Sequence, residues 1–82
     1  MVLFAMAAAA QKAPQAVAAV RDAAYREALR HYAAGHFREA LEVIRRAADA
    51  DGWTVALRSL AGWCRLRGGE VGEAEAEFKA AL

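Results

Sequence analysis

Apolar residues recur three and four positions apart in two stretches of the chain. Phe37, Ala40, Leu41, Ile44, Ala47 and Ala48 form one set; Val71, Ala74, Phe78, Ala81 and Leu82 form the other. That spacing puts each set on one face of a helix. The polar residues between them, such as Glu73, Glu75, Glu77 and Lys79, fall on the remaining faces, so burial is one-sided. The pattern predicts helices over about 2–12, from Pro14 to about Ala34, and over about 37–49, 53–67 and 70–81. Pro14 suits a first helical turn. Asp49, Asp51 and Gly52 predict the longest break, because carboxylates and glycine favour local turns. Arg45, Arg46, Arg65 and Arg67 fall late in their helices and Glu70 and Glu73 fall early, as the helix dipole favours. Asp22/Arg26, Glu42/Arg46 and Glu75/Lys79 are spaced for pairing along a helix.

Comparing the chain with itself at an offset of 34 residues aligns Gly35 with Gly69, Glu39 with Glu73, Ala40 with Ala74 and Ala47 with Ala81. Similar residues meet elsewhere: Ile44 meets Phe78, Phe37 meets Val71, Ala28 meets Gly62, and Leu29 meets Trp63. A period of this length marks a repeat architecture. In each unit a helix leads up to a glycine, which lets the backbone turn with positive φ into a second helix. One such hairpin cannot bury its own apolar faces, and stacking two creates a common core. The expected fold is all-α: an N-terminal helix or cap over residues 1–14, then two hairpins over 15–82, at about 15–50 and 53–82.

Composition sharpens this picture. The chain has 82 residues, enough for one domain, and 59% are apolar. Many of these are alanine, which favours helix but buries little area. The core is therefore thin, and chains of this size often lean on a partner. β-Branched residues are scarce, which argues against a sheet. The net charge of +1 is too small for a nucleic-acid footprint and disfavours such a partner. Cys64 stands alone, so no internal disulfide forms, and a reducing, cytoplasmic setting is expected. The apolar run from Met1 to Ala10 ends like a signal-peptide cleavage site but lacks the positive leading region, and that reading stays open. The run is too short to span a membrane.

The 34-residue unit resembles the tetratricopeptide repeat over about residues 21–82. The matching residues are Ala28, Gly35, Ala40, Ile44 and Ala47 in one unit and Gly62, Gly69, Ala74, Phe78 and Ala81 in the next. The resemblance implies a right-handed stack of two tetratricopeptide-like hairpins. The chain departs from the family in the first helix of each unit. The places that usually hold bulky residues are Ala24, Glu27 and His31, then Arg58, Ala61 and Arg65. Tyr25, Leu29 and Tyr32 stand one step later, which leaves the packing register open. Asp51-Gly52 replaces the usual proline. Leu3, Met6 and Ala13 extend the pattern as half a hairpin. The last helix stops at an apolar face, which implies cover by another chain or by further sequence.

Catalytic chemistry finds little support, so the expectation is a non-enzyme without metal or cofactor. His31 and His36 are five apart, the wrong spacing for two ligands on one helix face. Cys64 follows Trp63 inside a helix with no neighbouring base and reads as a small buried hydrophobe. Gly68, Gly69 and Gly72 lack the lysine and hydroxyl residue of a phosphate loop. Glu73, Glu75 and Glu77 alternate and do not share a face. The resemblance instead implies a concave groove lined by Tyr25, Leu29, Tyr32, Ala33, Ser59, Trp63, Leu66 and Arg67. Tyrosine, tryptophan and arginine are the types enriched at binding hot spots. The chain has no asparagine, so the carboxylate clamp of some relatives is not expected, and an apolar or amphipathic-helix partner is. The expected function is a protein–protein interaction module, an adaptor or scaffold. The alternative is a self-associating, chaperone-like subunit with contacts at Phe78, Ala81 and Leu82 and at Val2 to Met6. Trp53 is expected in the core at the hairpin junction. Arg58, Arg65 and Arg67 on one helix and the glutamates on the next read first as two solvated faces; the alternative is an arginine side that steers a partner's acidic flank.

Overall fold

A computed structural model describes residues 21–82, and the expectations for residues 1–20 lie outside them. The described residues are all helical or in turns, with no strand. Helix α1 covers 21–33, α2 Phe37–Asp51, α3 Val55–Arg67 and α4 Val71–Ala81. Among them no helix is long and apolar enough to cross a membrane.

The two short turns repeat bond for bond at the 34-residue offset. Gly35 N–H donates to the Tyr32 carbonyl at 3.0 Å and His36 N–H to His31 at 2.8 Å; Gly69 N–H donates to Leu66 at 3.1 Å and Glu70 N–H to Arg65 at 2.7 Å. Both are the Schellman closure of a helix C-terminus. It needs a left-handed residue, and Gly35 and Gly69 supply φ of 82° and 87°. Each turn takes three residues, so the next helix folds straight back.

The junction between the hairpins differs from expectation. Asp49 and Asp51 do not break α2; the helix runs through both and ends at Gly52, whose φ is 88° and whose N–H bonds to the Ala48 carbonyl. The apolar face carrying Ala47 and Ala48 holds the last turn on the core, and this overrides the weak helix propensity of aspartate. Helix α3 begins at Val55 rather than 53. Thr54 is its N-cap, with Oγ1 accepting from Leu57 N–H at 3.1 Å, a contact worth about 1 kcal/mol. Trp53 lies outside the core and is 42% exposed. The short connection keeps its ring at the surface, where the Arg58 guanidinium lies 4.0 Å from its centroid.

The core is contributed by α1, α2 and α3: Ala28, then Ala40, Val43, Ile44 and Ala48, then Leu57, Leu60, Ala61 and Cys64. Helix α3 packs on α2 and also on α4. Its fit to α4 depends on a missing side chain: a Cβ on Gly62 would lie 2.6 Å from the Phe78 ring. Ion pairs reinforce this contact. Glu77 receives Arg58 at 3.3 Å and Arg65 at 3.6 Å, and Arg65 reaches Glu70 at 2.8 Å. Of the three pairs expected along single helices, Glu75–Lys79 closes at 3.0 Å. The other two do not close.

Candidate functional site

Helices α1 and α3 border a common groove of about 440 Å³, lined by Tyr25, Leu29, Tyr32, Ser59, Leu60, Trp63 and Arg67. Tyr25, Leu29 and Tyr32 come from α1 at four- and three-residue spacing, so they form one stripe along it. On α3, Ser59, Trp63 and Arg67 follow at four-residue intervals.

Each large side chain is braced from behind and open in front. Tyr25 and Tyr32 pack partly against the core. The Tyr32 ring meets Phe37 edge-on at 5.8 Å, and the Arg67 guanidinium lies 5.6 Å from its centroid. Trp63 stands edge-on to Phe78 at 5.5 Å and remains 49% exposed. A braced aromatic loses little further freedom on binding, so its buried area counts toward affinity. Tyr25 and Tyr32 thus each fill part of the core and line the groove.

Six of the eight residues named for the groove line it together. Leu66 does not; it points to the other side of α3, beside Val71 and Phe78. Ala33 is exposed and outside the lining. Leu60, which was not named, is a buried part of the wall. Its position three before Trp63 on the same helix was the available signal.

Among the described residues Arg67 is the single charged one in the lining. The alternative of a basic side made of three arginines fails, because Arg58 and Arg65 are drawn to Glu77 on α4 and to Glu70 at its N-cap. Opposite charges four ångströms or less apart attract far more strongly than a distant partner could.

A second concave surface, of about 570 Å³, lies on the outer side of α3 and α4. Val55, Leu66, Val71, Phe78 and Leu82 line it, with Glu75 and Lys79. Val55 is 67% exposed and Val71 62%. Phe78, Ala81 and Leu82, named for self-association, all belong to this surface.

The remaining reactive groups are placed as follows. His31 is half-buried and His36 lies in the turn, with ring centroids 6.3 Å apart. Among the described residues no three His, Cys, Asp or Glu side chains are placed to hold a metal ion. Burial pushes the Cys64 thiol up from its ordinary 9.0 to about 11, against a smaller opposite pull from Arg65. Two results follow. A thiol reagent should leave the folded chain unlabelled at pH 7.5 and modify it fully in denaturant. Stability should be insensitive to this group below pH 9 and fall between about 9 and 11, where the unfolded chain releases the proton and the folded chain keeps it. Labelling of the folded chain at the denatured rate would contradict the placement of Cys64.

No protein-family model, curated protein or solved structure matches this chain.

Proposed function

We propose that this chain is a protein–protein interaction module made of two tetratricopeptide-like hairpins. A helical or extended segment of another protein docks in the groove between α1 and α3. The observation that carries the reading is an inversion of ordinary burial at this groove. Among the described residues five of the ten buried apolar side chains are alanine, and none is aromatic. The aromatic side chains Tyr25, Tyr32 and Trp63 meanwhile converge on an open groove. A chain that needed these rings only for stability would enclose them. The bond-for-bond repetition of the turns at Gly35 and Gly69 supports the two-hairpin reading.

The groove chemistry describes its guest. Apolar anchors three or four residues apart would follow the stripe of Tyr25, Leu29 and Tyr32. A carboxylate near one end would face Arg67, the lone charge. A peptide-library selection on the immobilised chain tests this. Enriched sequences should carry aliphatic or aromatic residues at helical spacing with an acidic flank. Leu29→Asp, a change at a partly exposed position, should lose them while keeping its helical circular dichroism. Enriched peptides that bind wild type and Leu29→Asp equally would dismiss the groove.

A further inference from the structure

The outer surface of α3 and α4 has a pattern that the groove does not explain. Val71, Glu75, Phe78 and Leu82 follow at four-, three- and four-residue steps and form one stripe, with Lys79 at its border. Val71 and Leu82 are exposed at its two ends. The opposite side of α4 is already committed, since Glu70 and Glu77 bind the arginines of α3. Val55 and Leu66 of α3 continue the apolar surface beside the stripe. Among the described residues Glu75 and Lys79 are the only charged groups lining it, and both are largely solvent-exposed.

We propose that this surface pairs with the same surface of a second copy of the chain, the two α4 helices running antiparallel about a two-fold axis. The charge pattern favours this occupant: Glu75 and Lys79, which bridge each other at 3.0 Å within one helix, can share that bridge across a two-fold axis. An axis at the level of residue 77 places Glu75 opposite the second copy's Lys79, and Lys79 opposite its Glu75. The same axis brings Val71 to within one residue's rise, about 1.5 Å, of the level of the second copy's Leu82. The two Phe78 rings then meet near the centre. One operation thus matches both the opposite charges and the apolar ends, as an isologous interface requires. A parallel pair would instead set Glu75 against Glu75 and Lys79 against Lys79, which is repulsive.

Sedimentation equilibrium of the 82-residue chain, from micromolar to millimolar, tests the pairing. A monomer–dimer equilibrium is expected. Glu75→Lys and Lys79→Glu should each weaken it by about tenfold, because the axis repeats every replaced contact. An equimolar mixture of the two variants should recover the wild-type constant, since the lysines at 75 and 79 of one chain face the glutamates at 75 and 79 of the other. Val71→Asp, which buries an unpaired carboxylate in the pair, should weaken dimerisation at least roughly a hundredfold. All three substitutions are at exposed positions, so circular dichroism should be unchanged. Leu29→Asp should leave dimerisation untouched, which keeps this proposal separate from the groove. A wild-type chain that stays monomeric overturns the pairing. So does a dimer indifferent to Val71→Asp, or a mixture of charge variants that fails to recover.

Discussion

Ile44→Ala should cost about 2–5 kcal/mol of folding stability. Ile44 is 1% exposed and, with Cys64, is one of the two largest side chains fully enclosed. The core it shares holds Ala28, Ala40, Ala48 and Ala61, short side chains that can fill little of the space left behind, beside Val43, Leu57 and Leu60. A cavity that cannot collapse lies at the costly end of the range. Typical stability, scaled to 82 residues, is about 4–12 kcal/mol, so the loss takes a large share and should leave the chain partly unfolded at 37 °C. Ile44→Val, removing one methylene, should cost only about 0.5–1.5 kcal/mol. Urea denaturation followed by circular dichroism reads both. A loss below about 1 kcal/mol for Ile44→Ala would mean that the core is not organised around this side chain.

Gly62→Ala should destabilise the chain although alanine is the better helix former. Propensity favours the substitution by about 1 kcal/mol. Against it, the added Cβ would lie 2.6, 2.8 and 2.9 Å from three atoms of the Phe78 ring. The ring must leave its seat, and its edge-on contact with Trp63 goes with it. Overpacking of this kind costs about 1–3 kcal/mol, so the net loss lies at up to about 2 kcal/mol. The first hairpin suggests the remedy. The residues 34 positions earlier are Ala28 and Ile44, both buried in the core. Phe78→Ile in the Gly62→Ala background should therefore regain stability, although Phe78→Ile alone loses it. The double-mutant cycle should give a coupling of about 0.5–3 kcal/mol. Strict additivity would show that Gly62 and Phe78 do not act as a matched pair.

The features legible beforehand were those where one residue type had no substitute. Gly35 and Gly69 hold a left-handed backbone that other residues reach only with strain, so their spacing exposed the repeated turn. The periodic faces of α2 and α4 likewise followed from the three-and-four spacing, which only a helix brings together. The ends of elements were harder, because several residues compete there. Asp49 and Asp51 are reasonable turn formers, yet packing of Ala47 and Ala48 carried the helix on to Gly52. Thr54 caps α3, a role that Asp49 and Asp51 could fill equally well by residue type, so type alone does not pick it out. Trp53 reads as core by type, but its place in a short connection decides otherwise. Within the groove, a rotation of α3 separates Leu66 from Trp63, and three residues of spacing could not reveal which of them faces α1. The fate of Arg58 and Arg65 depended on where Glu77 lands, which is a tertiary fact.

The docking claim rests on where a guest touches the chain. Amide and side-chain chemical shifts of the labelled protein, titrated with a peptide from the library selection, report that place directly. The largest changes should gather on α1 and α3, at Tyr25, Leu29, Tyr32, Ser59, Trp63 and Arg67. Changes centred instead on α2, or on Val71 and Leu82 of the outer surface, would contradict docking between α1 and α3.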